Sequence, residues 1–94
     1  MEEVNESKIT IQFQQGQRKN KGYTYIFGLE KKFKPTEIED LARKLKTKLG
    51  TGGSTKTEDD KMYIMIQGEM TNRIKAYFTT NNLYKQEDII IRGI

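Results

Sequence analysis

The chain has no cysteine, no histidine and no tryptophan, and only one proline in 94 residues. Without cysteine there is no disulfide framework, no thiol nucleophile and no cysteine-ligated zinc. Without histidine the usual metal-ligand clusters and nucleophile–base pairs cannot be assembled. Catalysis by carboxylates alone remains, but no two acids are spaced as a general acid–base pair. The chain therefore reads as a non-enzyme that needs no cofactor and no metal. No apolar run approaches the roughly 18 residues of a membrane span, so no membrane partner is expected. The opening residues MEEVNES are acidic and polar, unlike a targeting presequence. With the missing cysteines, this leads to an expectation of a cytoplasmic protein.

What is abundant is lysine, unevenly placed. The net charge of +4 conceals a basic stretch and an acidic tail. Residues 8–56 carry 12 Lys/Arg against 4 Asp/Glu, and residues 57–94 carry 5 against 6. Glu2, Glu3 and Glu6 supply the rest of the negative charge. A basic half on so small a chain points to a polyanionic partner or to a lysine-rich solvated surface. The length suits one domain. We expect a flexible acidic tail over residues 1–7 and a folded unit over residues 8–94.

Periodicity supplies the elements. Ile9, Ile11 and Phe13 alternate with Thr10, Gln12 and Gln14, a half-buried strand. Tyr23–Phe27, aromatic and β-branched, is a second strand stopped by Gly28 and joined to the first through a polar turn. Thr36-Glu37-Ile38-Glu39 fits a capping box with Thr36 as N-cap. Ile38, Leu41, Ala42, Leu45 and Leu49 then trace one face of a helix that closes at Gly50. A strand begins at Ser54–Lys56, an acidic turn follows at Thr57–Lys61, and another strand covers Met62–Gln67. A weaker helix is expected over Asn72–Thr80, with Ile74, Tyr77 and Phe78 inward, and a last strand over Ile89–Arg92. The order β-β-α-β-β-α-β predicts an α+β plait, with two helices on one face of a mixed sheet of about five strands.

The junction Leu41–Ser54, LARKLKTKLGTGGS, is the most informative segment. Cations load the end of a helix and a glycine turn follows, where exposed backbone N–H groups beside them would suit a phosphate backbone. GTGGSTKT at Gly50–Thr57 nearly fits a phosphate loop, but Thr55 replaces its last glycine. It also follows a helix and opens a strand, the reverse of the required context.

Four segments, KGYTYIFGLEKKF, LARKLKTKLGTGGS, IQGE with RIKAYF, and IIIRG, stand in the order and spacing of the translation initiation factor 1 family. The chain resembles that family from Lys8 to Gly93. The resemblance implies a plait fold and binding to the small ribosomal subunit near the P site, promoting scanning and accurate start-codon selection. Arg18, Lys19 and Lys21 match a basic loop approaching ribosomal RNA and mRNA. Arg43 and Lys46 match cations of the ribosome-facing surface, with Thr51, Gly52, Gly53 and Lys56 beside them. Glu58, Asp59 and Asp60 match a loop facing the initiator tRNA, and Gly68-Glu69 a turn tied to fidelity. After IQG the family usually carries Asp, then His or Gln, then Arg, whereas this chain has Glu69, Met70 and Thr71. Other initiation factors are implied as further partners.

Strand alternation adds one feature outside the family pattern. If Ile26, Ile64, Ile66, Ile89 and Ile91 face the helices, then Tyr23, Tyr25, Phe27, Tyr63, Met65 and Ile90 share the opposite face. Such a patch fits a protein interface or weak self-association, or simply the liking of aromatic residues for strands. Two other functions stay open. One is a recycling or reinitiation factor using the same domain, disfavoured by an end at Ile94 without an added domain. The other is a general RNA-binding or protein-interaction module.

Overall fold

The computed structural model describes residues 8–15, 22–59 and 61–92. Strand β1 (Ile9–Gln15) pairs antiparallel with β2 (Gly22–Phe27), in register from Thr10 opposite Phe27 to Gln15 opposite Gly22. Gly28 turns the chain out of β2 at a φ of 98°. A side chain there would be strained, and its Cβ would sit 2.8 Å from the Lys8 carbonyl oxygen. A short 3-10 turn at Leu29–Lys31 buries Leu29 and leads to helix α1 (Pro35–Leu49).

The start of α1 differs from expectation. Lys34, not Thr36, is the N-cap, and Pro35 occupies the first helical position. Proline has no N–H to leave unpaired, and its fixed φ already suits a helix, so the first turn takes it in. Glu37, rather than Glu39, is then the third helical residue, and its Oε1 accepts the Lys34 N–H at 2.8 Å. Lysine has no side-chain acceptor, so the reciprocal half of a capping box is missing. At the other end Gly50 adopts φ 67° and closes the helix.

Strand β3 (Gly53–Glu58) and β4 (Lys61–Gln67) form an antiparallel hairpin. The acidic turn is tighter than the sequence implies, because Thr57 pairs with Met62 and Glu58 with Lys61. An opposite-charge cross-strand pair favours this extension. Helix α2 (Thr71–Thr80) follows, and β5 (Ile89–Arg92) closes the sheet parallel to β1. The strand order is β3-β4-β2-β1-β5, with both helices packed against one face as expected.

The core lies between that face and the helices. Ile9, Ile11, Ile26, Ile64 and Ile66 meet Ile38, Leu45, Ile74 and Phe78, all at 1% exposure or less. Ile89 joins them, but Ile91 does not and is 41% exposed. It sits on an edge strand with one neighbouring strand, where alternation sets the direction of a side chain but not its cover. Tyr77, expected inward, is only half-buried against the rim of the core. On the opposite face Tyr23, Tyr25, Phe27, Tyr63 and Met65 are all half-buried, and Ile90 is exposed. Tyr25, Phe27 and Tyr63 form an aromatic cluster with ring centroids 5.1–5.9 Å apart.

Candidate functional site

The cations of α1 stand where helical spacing places them. Arg43, Lys44 and Lys48 are exposed and Lys46 is half-buried, all off the stripe formed by Ile38, Leu41, Ala42 and Leu45. Arg43 and Lys44 both reach Asp40, at 2.9 and 3.3 Å. Exposed pairs of this kind contribute at most about 1 kcal/mol, so a phosphate can readily compete for either cation. Lys46 and Lys48 form no ion pair with any described residue.

The glycine turn differs from an open nest of donors. The N–H groups of Gly50 and Thr51 both point back to the Lys46 carbonyl, at 2.9 and 3.2 Å, and close the helix. Gly53 has a packing role. A Cβ there would lie 2.6 Å from the Met65 carbonyl oxygen and 2.9 Å from Ile66 Cδ1. Only glycine allows β3 to begin so close to β4. The turn is also tied down, since Gly52 accepts the Gln67 N–H at 2.9 Å and Thr51 Oγ1 donates to the Gln67 carbonyl at 3.2 Å.

Those bonds join the glycine turn to the IQGE turn. Gly68 takes φ 94°, and its N–H donates to the Gly22 carbonyl at 2.9 Å, at the base of the first hairpin. The fully buried Thr24 hydroxyl donates to the Gly68 carbonyl at 2.6 Å and accepts the Met70 N–H at 3.0 Å. Glu69 is exposed and accepts a bond from Thr71 Oγ1 at 2.8 Å, beside the N-terminus of α2, where negative charge is favoured. Three segments far apart in sequence thus meet at one end of the sheet: the end of α1 with its glycine turn, the IQGE turn, and the base of the first hairpin. Arg18, Lys19 and Lys21, in that hairpin's loop, lie outside the described residues, as does Asp60.

Two groups of expected site residues lie elsewhere. Glu58 and Asp59 sit at the far end of the β3–β4 hairpin, five register steps from the Gly53–Ile66 pair, or about 17 Å along the strand. Lys56 pairs with Tyr63 and points with it to the sheet face opposite the helices, away from Arg43 and Lys46. Among the described residues no cluster of acidic side chains is placed to hold a metal, and no helix is long and apolar enough to cross a membrane.

The family described as translation initiation factor SUI1 matches residues 5–84. The chain belongs to that family. The SUI1 match takes in α1, the glycine turn, the IQGE turn and α2, so every segment meeting at the candidate site is within it, whereas β5 and the IIIRG motif fall outside. No curated protein sequence matches the chain. Among solved structures, the C-terminal domain of human eIF2D superimposes with a TM-score of 0.63 at 18% identity. The overlap covers 85% of this chain and 41% of that one, so the chain spans less than half of the matched structure. At that identity the likeness shows a shared fold. Membership of the SUI1 family makes this a translation initiation factor domain.

This SUI1 fold also brings forward residues that have little or no local signature in the sequence. Thr24 was legible as a polar residue on an inward position of a strand, but its partner turn, 44 residues away, was not. Lys44, Lys48 and Arg73 border Tyr77 in the cleft between the helices, a grouping that spans both helices and has no local signature.

Proposed function

We propose that this SUI1-family chain binds ribosomal RNA of the small subunit near the P site and promotes scanning and accurate start-codon selection. The observation that carries this reading is the meeting of the α1 cations, the glycine turn and the IQGE turn at one end of the sheet, with the basic hairpin loop springing from the same end. Phosphates position such a protein through cations on a firm frame, and the Gly52–Gln67 and Thr24–Gly68 bonds make the frame firm. Arg43 and Lys46, with Arg18, Lys19 and Lys21, face the ribosomal RNA and mRNA, and Thr51, Gly52 and Gly53 shape the surface between them. The acidic hairpin end, Glu58–Asp60, faces the initiator tRNA and opposes its early accommodation by like charge. Lys56 and Arg92 flank the aromatic face, on strands at either edge of the sheet. We assign that face to another initiation factor whose acidic groups would meet Lys56 and Arg92. Recycling or reinitiation is the second reading, favoured by the fold shared with eIF2D. Subunits freed from post-termination complexes would distinguish it.

Co-sedimentation with purified small subunits across a salt series tests the proposal. Binding should fall steeply with salt as counterions are released. Arg43→Glu with Lys46→Glu should lose most of it while the fold persists. A folded double variant that co-sediments like the parent would remove α1 from the interface.

A further inference from the structure

We propose that the cleft between α1 and α2 takes one unstacked nucleotide of the ribosomal RNA, with its base against Tyr77 and its phosphate on Lys48 and Arg73. The inference rests on the ribosomal reading above. Tyr77 is a half-buried aromatic bordering three adjoining hollows of about 430, 490 and 460 Å³. Their size is within the usual range for a small-molecule site, about 300–1,000 Å³. The ring meets Phe78 edge-on at 6.0 Å, which holds it in place from the core side.

The surroundings are sorted by charge. Toward the end of α1 the cleft is lined by Arg43, Lys44 and Lys48, with Arg73 facing them from α2. The one acid on that side, Asp40, is already held by Arg43 and Lys44, leaving Lys48 and Arg73 without an ion pair among the described residues. Toward the start of α1 the lining becomes Thr36 and Glu37 around Phe33 and Leu83, with the paired Asp40 and Lys44 shared between the two halves. An aromatic ring beside several cations matches how proteins hold single-stranded RNA, by stacking a base and neutralising its phosphate. The Glu37 carboxylate at that end disfavours a second phosphate, so a nucleotide has one favoured orientation. An amphipathic peptide helix would need a continuous apolar stripe, and the basic half offers it only Leu49, Ala76 and Tyr77.

The test measures affinity for purified small subunits by fluorescence anisotropy, with circular dichroism to confirm folding. Tyr77→Phe, which keeps the ring, should bind like the parent. Tyr77→Leu, which keeps an apolar side chain for the core, should bind about tenfold more weakly with an unchanged salt slope. Lys48→Ala with Arg73→Ala should weaken binding and reduce the salt slope by about one, the share of a single phosphate. A photoreactive phenylalanine at position 77 should crosslink to ribosomal RNA. Parental affinity in folded Tyr77→Leu, or a crosslink to ribosomal protein alone, would overturn the nucleotide site. If Arg43→Glu with Lys46→Glu still weakens binding in that case, the ribosomal reading survives without it. If the parent protein fails to bind subunits, both fall.

Discussion

Replacing Thr24 by valine removes one hydroxyl and nothing else of consequence, since the two side chains have nearly the same shape. Thr24 is fully buried, and its oxygen serves two backbone groups of the IQGE turn, the Gly68 carbonyl at 2.6 Å and the Met70 N–H at 3.0 Å. Neither group has another bond to a described residue outside the regular elements. Leaving a buried backbone group unsatisfied costs about 1–3 kcal/mol. Both bonds are part-buried, so water recovers some of that, while burying a methyl group in place of a hydroxyl returns a little more. A net loss of about 2–3 kcal/mol is expected. Against a total stability of about 5–15 kcal/mol, this corresponds to a fall in Tm of about 10–20 °C for a domain of this size. Urea unfolding should show a lower midpoint with an unchanged slope. Amide exchange at Met70 should quicken beyond the global change. Thr24→Ser, which keeps the hydroxyl, should lose only about 1 kcal/mol for its missing methyl group. A Thr24→Val protein within about 0.5 kcal/mol of the parent would show that the hydroxyl does not hold the turn.

Tyr84 is buried, its hydroxyl has no hydrogen-bond partner among the described residues, and burial, then the charge of Glu30, raises its pKa well above the usual tyrosine value. The unfolded chain therefore loses this proton first. Stability should fall as pH rises past about 10, and Tyr84→Phe should flatten that alkaline loss while matching or exceeding the parent at pH 7, as thermal melts across pH would show. Glu58→Lys with Asp59→Lys should leave subunit binding intact and raise initiation at near-cognate codons in a reconstituted assay; unchanged discrimination would remove this hairpin end from the mechanism. On the outer face, Tyr25→Thr with Tyr63→Thr should cost about 1 kcal/mol, as expected for cross-strand aromatic contacts, and abolish capture of a purified initiation factor. A loss of several kcal/mol with capture intact would make the aromatic cluster purely structural.

The elements themselves were legible because they depend on short-range physics. The 3.6-residue spacing of Ile38, Leu41, Ala42 and Leu45, the alternation of Ile9 and Ile11, and the glycine stop at position 50 each act within a few residues. Even locally, one competition was misread. Proline at the first helical position outweighed threonine as a cap, and the helix began two residues earlier. The outer-face aromatics were likewise placed by alternation alone, since a strand must send successive side chains to opposite sides. Alternation could not give burial at Ile91, which depends on what lies across the sheet edge.

The site was legible in its parts and hidden as an assembly. LARKLKTKLGTGGS declared a cationic helix end and a glycine turn. It did not declare that Gly50 and Thr51 spend their N–H groups on Lys46, or that Gly53 is small because β4 passes 2.6 Å from where its Cβ would be. Nor did it show Thr24 holding the IQGE turn across 44 residues, Lys56 turning away from the other cations, or Tyr77 set among cations from two helices. Local pattern determined what each segment is and which of its faces is apolar. Only the packing of β3-β4-β2-β1-β5 under two helices decided which segments touch, because hydrogen-bond register and side-chain cover are set by partners distant in the chain.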